Sequence, residues 1–141
     1  MSFRAPDRLI IGYGNELRGD DGAGLDVARA LAAEGYHAIE TRQLFPEFAE
    51  QIAAARLVIF VDCHAGLAPG EVAVTPVGEA AAALHEPCSP RMLLTLAAEV
   101  YGAAPQAYVV GIGPQTMEFG ESLSPPVRAA LVEACNRIKS L

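Results

Sequence analysis

Residues 9–24 read Leu9-Ile10-Ile11-Gly12-Tyr13-Gly14-Asn15-Glu16-Leu17-Arg18-Gly19-Asp20-Asp21-Gly22-Ala23-Gly24, and this stretch decides the fold. A short apolar run, Leu9 to Ile11, ends in Gly12-Tyr13-Gly14, a tight exit from a buried strand. Two adjacent carboxylates, Asp20 and Asp21, follow in the loop, and helical periodicity begins directly after them. Acidic groups therefore stand between the carboxyl end of a first strand and the start of a first helix, the position where open α/β sheets bind ligands.

The generic glycine-rich motifs do not fit this loop. A dinucleotide fingerprint requires Gly-x-Gly-x-x-Gly, and the third position is held by Leu17. A phosphate loop requires Gly-Lys-Ser/Thr, which does not follow. Two carboxylates at a helix start would repel a pyrophosphate. The loop suits a cation or a positively charged group. The plainer reading is that Asp20 or Asp21 caps the helix, a position Asp favours; that reading fits Asp20 better than Asp21.

The 141 residues are 52% hydrophobic, enough for one compact core, and the expected organisation is one domain spanning 1–141. No apolar run reaches the ~18 residues of a membrane span, and the N-terminus lacks a signal-peptide pattern, so a cytoplasmic location is expected. A formal net charge of −7 argues against nucleic acid and anionic membranes as partners. Cys63, Cys88 and Cys135 are odd in number and form no Cys-x-x-Cys pair, which excludes a disulfide framework or a structural zinc site. Cys135 falls in a helical pattern and reads as a small buried hydrophobe.

Strands are expected near Arg8–Tyr13 and His37–Gln43, with a helix from Gly22 to Glu34 between them, stopped by Gly35. Pro46 should open a short helix through Ala55. Leu57-Val58-Ile59-Phe60-Val61 is the continuous apolar run of a central parallel strand, closed by Asp62. After the turn Gly66–Gly70, Glu71 to Val77 follows too soon for a helical crossover, so that strand should run antiparallel to its predecessor. A loop from Gly78 to Cys88 leads to Ser89-Pro90, a cap followed by proline at the first helical position, and a helix to Tyr101. Ala107–Ile112 is the last strand, and Ser124-Pro125 opens the C-terminal helix by the same logic. The order β-α-β-α-β-β-α-β-α predicts a three-layer α/β sandwich of about five strands, mostly parallel with one antiparallel edge strand and helices on both faces.

Asp21 after the first strand, Asp62 at the end of the central strand and His85 in the loop before the Ser89-Pro90 helix fall at equivalent edges of such a sheet. Two carboxylates and an imidazole suit a borderline divalent metal such as nickel, zinc or manganese. The plainer alternatives are a cap for Asp21 and a solvated loop histidine for His85. Asp62 is hardest to explain away, because a carboxylate directly after an apolar strand core costs burial energy unless it has a role. A Gly-x-Ser-x-Gly elbow is absent, and His85-Glu86 does not open a His-Glu-x-x-His helix because Pro87-Cys88-Ser89 follows. Cys63 and His64 are adjacent, and neighbours on an extended chain point apart. Cys88 with His85 is a conceivable thiol–imidazole pair of a small-molecule hydrolase, a reading that thiol alkylation without loss of activity would remove.

Gly12-x-Gly14-Asn15-x-Leu17-x-x-Asp20-Asp21-Gly22-x-Gly24 resembles the opening signature of the hydrogenase maturation endopeptidases, Gly-x-Gly-Asn-x-Leu-x-x-Asp-Glu/Asp-x-x-Gly. Val61-Asp62, the Ser89-Pro90 helix start and Phe119-Gly120-Glu121-x-Leu123-Ser124-Pro125 are similar to later segments of that family, so the resemblance covers nearly the whole chain. It implies an endopeptidase that removes the C-terminal extension of a [NiFe]-hydrogenase large-subunit precursor after nickel insertion. The family's metal-contacting positions carry over to Asp21 and Asp62. Members often carry Ser-Pro-His where this chain has Ser89-Pro90-Arg91, and the nearest upstream histidine, His85, takes that role. Gln43-Leu44-x-Pro46-Glu47 resembles members that serve cytoplasmic, bidirectional hydrogenases.

The resemblance further implies that nickel is supplied by the precursor rather than held tightly by the protease. One imidazole and two carboxylates make a thin, open site that fits this role. Either the metal polarises the scissile carbonyl or activates water, or it only positions the tail while Asp21 or Asp62 acts as base toward water. The alternative function is a non-catalytic nickel-recognition module acting on the same precursor, which the departure at Arg91 keeps open.

Overall fold

The computed structural model describes residues 7–79, 88–120 and 122–141. The strands are β1 (Arg8–Tyr13), β2 (His37–Thr41), β3 (Leu57–Cys63), β4 (Val72–Pro76) and β5 (Gln106–Ile112). The helices are α1 (Ala23–Ala33), α2 (Phe48–Ala54), α3 (Pro90–Tyr101) and α4 (Pro125–Lys139). The strands form one sheet in the order β2-β1-β3-β5-β4. All neighbours are parallel except β4, which pairs antiparallel with β5 at the edge. The expected mixed α/β sheet is therefore found, and β4 reverses direction relative to β3 while pairing on the far side of β5.

Strand alternation divides the core between two helical layers. Leu9, Ile11, Val58 and Phe60 face one side and pack with Ile52 of α2 and Leu93 of α3. Ile10, Ile59, Val61 and Val110 face the other and pack with Val27 and Leu31 of α1 and with Val127, Ala134 and Ile138 of α4. β3 is apolar on both faces because helices cover both, as its unbroken run of hydrophobic residues requires. Cys135 is buried in the second layer, as a small hydrophobe would be.

Helix α1 starts very close to the sheet. A Cβ placed on Gly12 would collide with the backbone carbonyl of Gly24, so only glycine lets the helix start approach the carboxyl end of β1 this closely. Before α1, Gly19–Gly22 forms a short 3₁₀ turn that shifts the helix start from Gly22 to Ala23. Similarly, α2 begins at Phe48 rather than Pro46, because Phe45 and Pro46 supply the carbonyls of the preceding turn. Ser89 caps α3 as expected, its hydroxyl oxygen accepting from Met92 N at 3.1 Å.

Neither Asp20 nor Asp21 caps α1: Gly22 holds the cap position, with no side-chain cap bond. Asp20 is instead fully buried and turns toward the connection between β5 and α4. Its Oδ1 accepts from Ser124 N at 2.7 Å, and its Oδ2 accepts from Gln115 N at 2.8 Å, Thr116 N at 2.9 Å and Ser124 Oγ at 2.7 Å. Ser124 therefore stands at the α4 cap position but gives its hydroxyl proton to Asp20 rather than capping the helix. Burial would push the Asp20 carboxyl up. The backbone N–H groups of Ser124, Thr116 and Gln115 and the Ser124 hydroxyl outweigh that effect and hold its pKa below the ordinary value.

An Asp20→Asn substitution would turn an amide NH₂ toward backbone N–H donors. We expect it to cost about 2 kcal/mol of stability at pH 7, read as a lower urea midpoint. The folded-state pKa of Asp20 is lowered, so its contribution is complete above about pH 4 and is lost as pH falls through the lower folded value. The difference between the two proteins should therefore shrink in acid. Equal midpoints at pH 7 would contradict this role for Asp20.

Candidate functional site

The parallel register sets Gly12 of β1 beside Val61 of β3, so the residues that follow both strands emerge at the same edge. A cleft of about 230 Å³ opens there. Asp21 and Asp62 both line it, together with Tyr13 and Gly14 from the end of β1, Cys63 from the end of β3 and Cys88 from the start of the α3 segment. Arg42, Gln43 and Leu44, which follow β2, close the remaining side. The two carboxylates singled out in the sequence thus share one site.

Each carboxylate is held by a backbone donor. Asp21 Oδ2 accepts from Asn15 N at 2.8 Å, and Asn15 Oδ1 in turn accepts from Leu17 N at 3.0 Å. The asparagine of the opening motif therefore shapes the loop that aims Asp21. Gly14 makes this turn possible: its φ is +148°, and a Cβ there would collide with the Asp21 carbonyl. Asp62 Oδ1 accepts from Cys63 N at 2.7 Å.

The carboxylates act on the neighbouring thiol. Burial, reinforced by the charges of Asp62, Asp21 and Asp20, pushes the Cys63 thiol up to about 12. It stays protonated at neutral pH, the opposite of an activated nucleophile. Its sulfur lies 3.7 Å from Met117 Sδ. Cys88 is buried at the cleft wall.

His85 lies outside the described residues. Arg91, in the place where a Ser-Pro-His motif would put its histidine, donates from Nη2 to Gly78 O at 3.2 Å. His64 follows Cys63 but is not among the residues lining the cleft; its Nδ1 accepts from Gly66 N at 3.0 Å. Among the described residues no group of three or more His, Cys, Asp or Glu side chains is placed to hold a metal ion. The donor set described is thus two carboxylates, which suits an ion whose remaining ligands come from elsewhere.

Sequence reasoning missed Tyr13, Arg42 and Leu44 as walls of the cleft. The signal for Arg42 was its place just after β2, since every parallel strand of such a sheet delivers its following residue to the same edge. Of the two readings open for Asp20, the helix cap is not the one the structure takes. The stretch Leu123-Ser124-Pro125 held the clue, because Ser124 is the partner that Asp20 reaches across 104 residues.

No protein-family sequence model matches the chain, and no curated protein matches it. Solved structures do match. The [NiFe] hydrogenase maturation protease HybD from Thermococcus kodakarensis is similar with a TM-score of 0.75 and 25% identity, over 98% of both chains. The hydrogenase maturating endopeptidase HybD from Escherichia coli has a TM-score of 0.76 and 23% identity, over 98% of this chain and 91% of that one. The maturation protease HycI from T. kodakarensis KOD1 has a TM-score of 0.74 and 24% identity, over 96% and 91%. The two lower identities speak for the fold alone; the full-length match at 25% coincides with the opening motif and with two acidic residues sharing the cleft that the motif forms. Over nearly its whole length the chain is thus similar in fold to the [NiFe]-hydrogenase maturation proteases.

Proposed function

We propose that this protein is the endopeptidase that removes the C-terminal extension of a [NiFe]-hydrogenase large-subunit precursor in the cytoplasm, once nickel has been inserted. The observation that carries the reading is the shared cleft of Asp21 and Asp62 at the carboxyl edge of the sheet. Among the described residues no helix is long and apolar enough to cross a membrane.

The two carboxylates divide the work. Asp21 and Asp62, with His85 as the proposed third ligand, would hold nickel carried by the precursor, which would supply Lewis acidity there. Asp62, anchored through one oxygen by the Cys63 N–H, takes the proton of the attacking water and returns it to the leaving amine. Asp21, fixed by Asn15 N, orients the metal-bearing end of the tail. Tyr13, Leu44 and Cys88, all buried, wall the cleft against bulk water. Because the precursor's own ligands complete the coordination, the metal itself is the recognition element.

Asp62→Asn keeps the shape of the side chain but removes its charge and basicity. The variant should fold with unaltered melting behaviour and lose cleavage of the precursor by about a hundredfold or more, read as the mass shift of the processed subunit. Complete processing by Asp62→Asn would exclude both a catalytic and a metal-contacting role for this residue.

Incubation of the protein with nickel-loaded and nickel-free precursor tests the gating. Only the loaded form should be shortened, and purified protease should carry little stoichiometric metal, since its few hard donors bind nickel weakly. Equal cleavage of both forms would indicate an ordinary sequence-specific peptidase. Binding of the loaded precursor without any mass shift would indicate a non-catalytic nickel-recognition module.

A further inference from the structure

Beside the cleft, three large apolar side chains stand in solvent on two loops that the backbone binds together. Leu17 belongs to the β1–α1 loop, and Met117 and Phe119 belong to the β5–α4 loop; Phe119 is 81% exposed. Gly19 N donates to Gly120 O at 2.8 Å, Gly120 N donates to Leu17 O at 2.9 Å, and Asp20 N donates to Thr116 O at 3.0 Å. The buried Asp20 carboxylate fixes the same pair of loops from beneath through Gln115, Thr116 and Ser124. The Arg18 guanidinium lies 5.2 Å above the centre of the Phe119 ring. An exposed phenylalanine is thus presented on a pre-organised support rather than on a loose loop.

This surface is continuous with the site. Met117 Sδ touches Cys63 Sγ at 3.7 Å, and Cys63 lines the cleft that holds Asp21 and Asp62. We propose that Leu17, Met117 and Phe119 form an apolar lip that seats a large apolar side chain of the precursor polypeptide next to the scissile bond. The proposal rests on the reading of the cleft as the cleavage site. A second copy of the chain is the poorer occupant. Three side chains present far less than the roughly 800 Å² per partner of a stable interface. Through the Met117–Cys63 contact the lip adjoins the cleft wall, and apolar contact of a bound peptide there would lower KM without touching the chemical step.

Steady-state cleavage of nickel-loaded precursor by wild type, Phe119→Ala and Phe119→Leu tests the lip. Phe119→Ala should raise KM about tenfold at unchanged kcat, and Phe119→Leu should restore most of the loss. The melting temperature should not move, because the ring is exposed. A benzophenone amino acid at position 119 should crosslink to the precursor near its cut site. An unchanged KM in Phe119→Ala alongside an active wild type overturns the lip while leaving the cleft reading intact. So does a dimer that dissociates in Phe119→Ala without a change in KM, which would assign the surface to self-association. Failure of the wild type to cleave overturns the underlying reading, and the lip with it.

Discussion

A buried carboxylate with four donors organises the functional end of this molecule. Asp20 has no solvent contact, and an ionised carboxylate in such a place is stable only when its oxygens are fully engaged. Two backbone N–H groups on Gln115 and Thr116, a third on Ser124 and the Ser124 hydroxyl meet that need. The loop after β1 is thereby locked to the loop after β5. Asp21, the next residue, inherits a fixed position from this lock, and Leu17, Met117 and Phe119 are carried on the same two loops.

The sheet supplies the second constraint. β1, β2, β3 and β5 are parallel, so their carboxyl ends lie along one edge, and whatever follows them in sequence gathers there. Asp62 stands in the last two residues of a strand whose core is hydrophobic on both faces, so its charge falls at the edge of the sheet, where it is only partly buried. Gly12 lets α1 start close against β1, and Gly14 lets the loop double back so that Asp21 enters the cleft.

Negative charge concentrated at this edge shapes its chemistry. Burial, and after it the charges of Asp62, Asp21 and Asp20, disfavours ionisation of Cys63, so the sulfur at the cleft wall is a neutral thiol rather than a reactive thiolate. Among the described residues the cleft offers two carboxylates, Asp21 and Asp62, beside the Arg42 guanidinium. In the proposed function that charge would meet a metal carried by the substrate, and the proposed lip would make apolar contact along the rest of the peptide.

The sequence alone determined the layers and the two carboxylates. Unbroken apolar runs at Leu9–Ile11 and Leu57–Val61 require strands covered on both sides, the short span between β3 and β4 excludes a crossover helix, and the Gly-x-Gly-Asn-x-Leu-x-x-Asp-Asp pattern singles out its second aspartate. These are local signals, written in periodicity and in residues a few positions apart. Tertiary structure decided what depends on contacts between distant segments. Only folding could reveal that Asp20 serves Ser124 rather than a helix, since the two are 104 residues apart and either would pass locally for a cap. Only folding could bring Arg42 and Leu44 to the wall of the cleft and set Met117 against Cys63, because no spacing rule links loops that meet solely through the order of strands in the sheet.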